Sequence, residues 1–421
     1  MATVRTRVSS LRRVVVGLAA ALVAVVGLAG CLTVGYVVQA GLGQLRLFGD
    51  ARPIDEVLAD PTVDRRTKAL LAEVPGVLEY AAERGLDSQG NYTKYVELDR
   101  PSVVWFMAAS EPLAFEPKVW SFPIVGSFTY VGWFNRQEAR TIKRILEADG
   151  WDVYVRTVRA YSTGGWFRDP VLSSMLSDDE AAFSDLVHVL IHELVHANIL
   201  IRDQSTFNES VAKFVGDTMA EEYLAARTGD DSPTVQAFRD ELAERKARGE
   251  GLARSYAALA ALYDSDVDDS KKLAEKKRIL DEVEAELRLP SPINNASLLN
   301  FKTYNAGIPE FARLYQACDR DWPRFFTAVG ALETDSFAKE QQDDIAPVIA
   351  GLVTRGCPAR DAGTTATGPV DRPARGTRSS IREQVGATRP SRPYPGSLMR
   401  SDRVLDPECR SLTCSCPGKS I

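Results

Sequence analysis

The stretch His192-Glu193-Leu194-Val195-His196 decides how the chain is interpreted. Two histidines four positions apart on an α-helix lie on one face, so both imidazoles can reach a single zinc ion. A catalytic zinc takes three protein ligands and keeps one position open for water. Glu193 would lie near that position, where a carboxylate can take a proton from the water and pass it to a leaving amine. The stretch therefore predicts a zinc site with Glu193 as its general base.

The distribution of histidines supports this interpretation. The chain has three, and all lie in the same predicted helix, at His188, His192 and His196. Their neighbours are apolar, and the alternative is a set of hydrogen-bonded core residues, because buried polar groups need partners. Random placement would rarely give this spacing, so the metal is favoured. His188 lies roughly 12 Å from His196 along a helix, too far to share one ion. We therefore predict a structural or supporting role for His188.

The third ligand must be a carboxylate or a thiolate, because the chain has no further histidine. Glu209 follows His196 by thirteen positions, near the start of the next predicted helix, and is the main candidate. Asp203, in the short connector between the two predicted helices, competes for this role. Asp217 lies two turns beyond Glu209 and is a candidate for hydrogen bonding to a histidine behind the metal.

The group that would stabilise a tetrahedral oxyanion is also constrained by the histidine count. With no histidine to spare, this hydrogen-bond donor should be a tyrosine, an arginine or a lysine. Tyr161 and Tyr304 are the candidate catalytic tyrosines, since each lies in a motif-like segment outside the two metal-binding helices. Either of them could equally be a packed aromatic residue.

The N-terminus resembles an export signal. Four arginines precede an apolar stretch over residues 14–28, which is followed by Leu28-Ala29-Gly30-Cys31. Small residues before a cysteine resemble the bacterial lipobox, which implies cleavage before Cys31 and lipid attachment to it. The alternative is an uncleaved transmembrane anchor, because apolar residues continue to Val38. Both interpretations predict a membrane-anchored protein whose body lies on the periplasmic or extracytoplasmic side.

Charge and cysteine content exclude some classes of protein. The net charge is −6, and basic residues are concentrated at the two ends, so the body between residues 32 and 357 is acidic. An acidic body is not expected to bind nucleic acid, since phosphate binding needs a cationic face. Six cysteines are too few to organise a fold of this length. Cys318 and Cys357 could form one disulfide in an oxidising compartment, or remain free thiols.

The order of predicted elements indicates an α+β fold. Short β-rich runs occupy residues 92–158, and the chain is almost entirely helical from residue 177 onward. Ser177 and Glu180 have the spacing of a capping box, which predicts a helix from there to about residue 201. We expect one twisted sheet packed on this helix. The predicted parts are an anchor (1–31), a catalytic domain (32–231), a helical lobe with a long helical hairpin (232–357) and a disordered tail (358–421).

Several segments together resemble a family of bacterial lipoproteins described as predicted aminopeptidases. The segments include Trp120-Ser121-Phe122-Pro123, Ala160-Tyr161-Ser162-Thr163, Thr206-Phe207-Asn208-Glu209-Ser210 and Asn294-Asn295-Ala296. This resemblance covers most of residues 31–357. It implies a zincin-like metallopeptidase fold with a gluzincin-type zinc site, in which His192, His196 and Glu209 are the ligands and Glu193 is the base. The family often has cysteines where this chain has Ser121 and Ser127, which implies a lost disulfide and an unaffected zinc site.

Three functions are compatible with these features. The favoured one is a zinc aminopeptidase acting on peptides. The first alternative is a zinc endopeptidase, because the sequence does not identify the group that would hold a free α-amine. The second alternative is a lipid-anchored binding protein built on an inactive zincin fold, although an inactive descendant usually loses the glutamate or a ligand.

Overall fold

The computed structural model describes residues 31–122, 126–160, 162–163 and 167–359, which lie within one compact unit, Met1–Asp371. Helices predominate in the described residues and are accompanied by small sheets. This confirms the mixed helical and β character predicted from the sequence. The predicted division at residues 231 and 232 stays a prediction. The predicted signal segment up to residue 30, and the tail from residue 360, lie outside the described residues.

The helices of the described residues follow in chain order. They are α1 (Cys31–Gly49), α2 (Ile54–Ala59), α3 (Arg65–Glu83), α4 (Arg136–Ala148), α5 (Ala182–Asn198), α6 (Ser205–Thr228), α7 (Pro233–Tyr263), α8 (Asp269–Leu287), α9 (Asn295–Asn305), α10 (Ile308–Ala317), α11 (Trp322–Gly330) and α12 (Ala346–Arg355). Within this part of the chain, no helix is both long enough and apolar enough to cross a membrane.

The strands of the described residues form three small sheets, whereas the sequence predicted a single sheet. They are β1 (Arg52–Pro53), β2 (Lys94–Val96), β3 (Val104–Ser110), β4 (Trp120–Phe122), β5 (Gly126–Phe128), β6 (Tyr130–Trp133), β7 (Asp152–Val158) and β8 (Val171–Leu172). The first sheet has the order β1-β2-β8, the second is the antiparallel sheet β6-β3-β7, and β4 pairs with β5. In the last pair Ser121 lies directly opposite Ser127.

The sheet β6-β3-β7 packs on α4 and α9, whereas the sequence predicted a sheet packed on the histidine-bearing helix. Side chains of a strand alternate between its two faces, and this gives the sheet two environments. Met107 and Ala109 lie on the face that forms a separate core with α4. Phe106 lies on the opposite face, where its ring stacks on that of Tyr130. The histidine helix α5 packs instead on α3 and α6.

Helices α5 and α6 form a closely packed pair joined by a short connector. The side chain of Asn208 closes the connector, because its amide group donates to Ile201 O and accepts from Ile201 N. Asp203 has a left-handed backbone with φ of 60°, which allows the chain to reverse direction. At Gly216 of α6 an added Cβ would lie 3.3 Å from His192 Cβ and 3.4 Å from His188 Nε2. The absence of a side chain at Gly216 therefore lets the two helices approach closely.

The start of α5 differs from the prediction. Helix α5 begins at Ala182 and has no side-chain cap, so the predicted capping box at Ser177 does not form. The Ser177 hydroxyl donates instead to the Asp179 carboxylate, and this local bond competes with the cap. The predicted helical hairpin is present as α7 and α8. Lys276 of α8 donates to Asp152 Oδ2 at 2.5 Å and so ties the hairpin to β7.

Two further features bear on predictions from the sequence. Cys318 and Cys357 form a disulfide that links the end of α10 to the residues after α12, a pairing that the sequence left open. Cys31 is the first residue of α1, and its side chain lies outside the described part of the structure. Further along α1, Gln39 accepts from Phe134 N and donates to Gly132 O, so the helix is attached to the residues of β6 and the loop after it.

Candidate metal centre

Three side chains from α5 and α6 converge on one point. His192 and His196 lie one turn apart on α5, and Glu209 lies in the second turn of α6. One ligand atom from each residue lies within 4.8 Å of the other two. Glu209 Oε2 is 3.6 Å from His192 Nε2 and 3.6 Å from His196 Nε2. No other such group of histidine, cysteine or acidic residues occurs in the described part of the chain.

The spacing and the donor set fit a zinc ion. Tetrahedral ligands about 2.1 Å from zinc are separated from one another by roughly 3.4 Å. The two separations of 3.6 Å agree with this value, and two imidazoles with one carboxylate form a ligand set known from catalytic zinc sites. His196 and Glu209 are buried and His192 is partly buried, and at 3.6 Å neither imidazole Nε2 makes a direct hydrogen bond of normal length to Glu209 Oε2.

Metal binding requires neutral histidines and an ionised carboxylate, and two of the three candidate ligands favour that state. At His196 burial would lower the pKa, but the Glu209 carboxylate outweighs it and raises that pKa, so a metal would compete with a proton there. Burial lowers the pKa of His192 to about 4, so this imidazole is neutral at physiological pH. Burial alone would raise the pKa of Glu209, but the positive charge of His196, with His192 beside it, outweighs burial and holds that pKa well below its usual range. Glu209 is therefore an anion ready to bind a cation.

Glu193 has a different environment from Glu209. Its side chain is buried on α5, and burial together with the nearby carboxylates of Glu209 and Asp169 raises its pKa to about 7, although His196 opposes the shift. A carboxylate with a pKa near 7 can both accept and return a proton at neutral pH. The two buried glutamates thus have separate chemical properties: Glu209 stays ionised and Glu193 can exchange a proton.

Two tyrosines and an arginine complete the site. The Tyr130 hydroxyl donates to Glu209 Oε1 at 2.6 Å. The ring of Tyr304 lies parallel to that of His192, with centroids 6.3 Å apart, and the hydroxyl of Tyr304 accepts from Arg156 Nη2 at 3.4 Å. Burial raises the pKa of both tyrosines well above the usual value, so both phenols stay protonated and can donate hydrogen bonds.

The sequence profile of a family described as putative aminopeptidases matches residues 35–343. The chain belongs to this family. Its description indicates a peptidase, and therefore a hydrolase. No curated protein and no solved structure matches the chain. The match to this aminopeptidase family includes α5, α6 and the tyrosines around the metal centre.

Sequence reasoning about this aminopeptidase-family chain missed Tyr130 and Arg156. Both come from strands of the sheet β6-β3-β7, more than fifty residues before Glu209. Tyr130 lies in a run rich in aromatic residues and resembles an ordinary packed side chain. Only the requirement for an oxyanion donor, which named arginine among its candidates, pointed toward Arg156.

The structure places two predicted residues away from the centre. Asp203, the competing ligand, accepts from Ser127 N at 2.5 Å and from Ser127 Oγ at 2.8 Å, so it secures the connector to β5. Asp217 bonds to His188 Nε2 at 2.9 Å rather than to His192 or His196. Asp217 thus partners a histidine, but one outside the proposed ligand set, and a supporting role at the metal stays a prediction. Tyr161 lies outside the described residues.

The pair formed by His188 and Asp217 is a separate charged cluster. Lys213, one turn before Asp217, donates to the Asp217 carboxylate, and Arg245 Nη2 lies 3.9 Å from it. Burial would raise the pKa of Asp217, but His188 and Lys213 outweigh it and hold the pKa well below its usual range. Asp217 is thus an anion whose charge is already balanced by side chains of the protein.

Asp169 is a further buried carboxylate near Glu193. Burial raises its pKa to about 6, while hydrogen bonds from Thr163 and Ser162 oppose the shift. Thr163 N donates to Asp169 Oδ2 at 2.9 Å, and Thr163 Oγ1 lies 3.0 Å from both Oδ1 and Oδ2. The bonds tie both oxygens of Asp169 to the loop around residue 163, so its main effect on the centre is electrostatic.

Proposed function

We propose that this chain is a zinc-dependent aminopeptidase in which His192, His196 and Glu209 hold the metal. The observation that carries the proposal is the convergence of these three donors in a chain of the aminopeptidase family. When bound, zinc supplies Lewis acidity, which polarises a carbonyl group and lets water lose a proton at neutral pH. The substrate is a peptide, and the reaction is hydrolysis of its amide bond.

Glu193 is the general base of this proposal. Its buried carboxylate follows the ligand His192 directly, and its pKa of about 7 suits a group that takes a proton from the attacking water. The protonated Glu193 then returns this proton to the leaving amine.

Tyr304 is the proposed donor to the developing oxyanion. Its hydroxyl stays protonated, and the nearby Arg156 guanidinium makes it a stronger donor by withdrawing negative charge. Tyr130 has a different role, because its hydroxyl is already bound to Glu209 Oε1 and leaves Oε2 directed toward the two histidines. Tyr130 therefore orients a ligand, whereas the Tyr304 hydroxyl, which also lies beside Glu209, is the one that Arg156 supports.

The experiment that tests the proposal is peptide hydrolysis by the full-length chain and by its Glu193→Gln variant. Substrates with free and with N-acetylated α-amines are compared, and the zinc content of both proteins is measured. We expect cleavage of the free-amine peptides only, and a loss of at least about a thousand-fold in the variant with zinc retained. Cleavage of acetylated peptides as well would make the enzyme an endopeptidase. Zinc-loaded wild-type protein that cuts neither substrate would refute the enzyme proposal and favour a binding protein.

We also propose that a lipid on Cys31 anchors the protein to the outer side of the membrane. This rests on the arginines, the apolar stretch and the small residues before Cys31. A Cys31→Ser variant should lose incorporation of a labelled fatty acid and move from the membrane fraction to the soluble fraction. Unchanged labelling in that variant would contradict the proposal.

A further inference from the structure

Helix α1 carries a patch of exposed apolar side chains. Leu42 and Leu45 are 53% and 67% exposed. Phe48 follows Leu45 by one helical turn, and the ring of Phe167, itself 51% exposed, lies against that of Phe48 with centroids 5.0 Å apart. Leu42, Leu45 and Phe167 together form the apolar patch of α1.

The exposed apolar side chains are concentrated at this patch. A single exposed leucine is ordinary on a protein surface. Among the described residues, however, seven large apolar side chains are exposed, and three of them belong to α1 or pack on it. Clustering of this kind is typical of a surface that contacts an apolar partner.

The other side of α1 is firmly attached to the body of the protein. The Tyr36 hydroxyl accepts from Gly132 N at 3.4 Å, and Leu47 is buried. At Gly43 an added Cβ would lie 2.3 Å from the ring of Phe134, so the backbone of the helix lies directly against that ring. These attachments extend over three turns. The helix therefore cannot rotate to hide its leucines without leaving the body.

Position 31 lies on the same side of α1 as the two leucines. The helix runs from Cys31 to Gly49. At 3.6 residues per turn, the backbone positions of Cys31, Leu42 and Leu45 fall within about 60° of one another around the helix axis. They extend over about 20 Å along this axis, since each residue adds about 1.5 Å. A lipid on Cys31 would thus enter a membrane from the side of α1 that carries the leucines.

The charge of this segment favours a neutral partner. Residues 31–50 contain one basic and one acidic side chain, Arg46 and Asp50, and both are exposed. Contact through this segment would therefore depend on the burial of apolar surface rather than on charge. A few apolar side chains are sufficient when a lipid already holds the helix at the membrane, because the attachment raises their effective concentration there.

We propose that the apolar patch of α1 lies in the surface of a phospholipid bilayer, so that the helix runs along the membrane. Leu42, Leu45 and Phe167 enter the boundary between headgroups and acyl chains, which is the depth at which amphipathic helices bind. This inference rests on the proposed lipid at Cys31, since that lipid brings the helix to the membrane.

The test places a tryptophan in the patch. The full-length Leu45→Trp chain is reconstituted into phosphatidylcholine vesicles with brominated acyl chains, which quench tryptophan fluorescence at short range. The matched control is Leu273→Trp, because Leu273 is 48% exposed on α8, a helix tied to β7, whereas α1 is attached to β6 at the opposite edge of the sheet. We expect the tryptophan at position 45 to lose about half of its fluorescence beyond the loss in the parent protein, and the one at position 273 to lose none.

A charge in the patch should remove the effect. Leu42→Glu in the Leu45→Trp background should at least halve the additional quenching, because a carboxylate is costly to bury among acyl chains. Leu273→Glu in the same background adds the same charge elsewhere and should leave the quenching unchanged. Thermal melting checks that each variant is folded, and Leu42→Trp repeats the measurement if Leu45→Trp is not.

Two results would overturn the membrane contact. They are quenching at position 45 no greater than at position 273, and additional quenching that survives Leu42→Glu. A dimer in detergent that Leu42→Glu dissociates, without quenching in vesicles, would assign the patch to a second copy of the chain.

Fatty-acid labelling of the same protein separates this inference from the lipid proposal. Labelled protein without quenching at position 45 would refute the patch and leave the lipid on Cys31 in place. Quenching at position 45 in unlabelled protein would refute the lipid and still support the patch.

Discussion

Two carboxylates of α6 face histidines of α5, two turns apart, in different ways. Asp217 lies 2.9 Å from His188 Nε2, and lysine and arginine side chains lie beside it. Glu209 lies 3.6 Å from both His192 and His196, and its described hydrogen-bond donor is the neutral hydroxyl of Tyr130. Because the two helices run in opposite directions, the same spacing of eight residues produces both pairs.

The different surroundings of Asp217 and Glu209 indicate what distinguishes an ion pair from a metal site. At Asp217 the partners touch, and cationic side chains cancel the charge, so no further cation is needed. At Glu209 the donors are held apart, and among the described residues no lysine or arginine pairs with its carboxylate. The distance between donors, and the presence of lysine and arginine only at Asp217 among the described residues, distinguish the two.

The largest expected effect comes from removing each carboxylate in turn. Glu209→Gln should lower bound zinc from about one ion per chain toward zero, because a neutral amide is a poor ligand. Asp217→Asn should keep the ion. Zinc content after dialysis, with activity measured alongside, checks both variants. Equal loss of zinc in the two proteins would contradict the proposal that Glu209, and not Asp217, is a metal ligand.

A smaller effect is expected from the two tyrosines of the centre. Tyr304→Phe should lower kcat about a hundred-fold with little change in KM, since an oxyanion donor acts mainly in the transition state. Tyr130→Phe should instead weaken zinc binding by about ten-fold, because it frees the ligand Glu209 from its orienting bond. Steady-state kinetics and competition with a zinc-binding dye separate the two effects. A Tyr130→Phe protein with normal zinc affinity and a reduced kcat would reverse the assigned roles.

The ion pair at Asp217 should show itself in stability. With zinc removed by a chelator, Asp217→Asn is expected to be about 2 kcal/mol less stable at pH 7, because His188 and Lys213 lose a charged partner. The pKa of Asp217 is lower in the folded state than in the unfolded state, so its contribution is present above the unfolded value and is lost as pH falls. The difference between the two proteins should therefore shrink below about pH 4. Urea unfolding from pH 3 to pH 7 measures it, and a constant difference would contradict the assignment.

The smallest effect is expected from Lys213, which is partly exposed. Lys213→Met should cost about 0.5–1 kcal/mol in unfolding free energy, the range for a pair of this kind near solvent. Zinc content should not change. A fall in zinc content would mean that the two clusters are coupled through α6.

The metal ligands could be predicted because their geometry is local. His192 and His196 are placed by the helix repeat, and Glu209 by a short connector that allows few arrangements. The histidine that Asp217 contacts could not be predicted. It depends on the relative alignment of two antiparallel helices, which the spacing of residues along one helix does not determine. Tyr130 could not be predicted, since a strand far away in sequence brings it to the site.

The same limit applies to the fold. The helices after residue 177 follow from their own periodicity, and the hairpin α7–α8 was predicted nearly whole. The sheets were not, because the pairing partners of short strands are chosen by the core that forms around them. The start of α5 was misplaced for a local reason, the competing bond between Ser177 and Asp179.

Gly216 binds nothing, and yet it sets the clearance between the two helices that carry every proposed ligand. A single methyl group at this position would act as a wedge against His192 and His188. A variant with alanine at this position would keep its histidines and its glutamate. A search for the ligand motif alone would therefore not detect the change. Metal binding therefore depends on the absence of a side chain at Gly216 as well as on the ligands themselves.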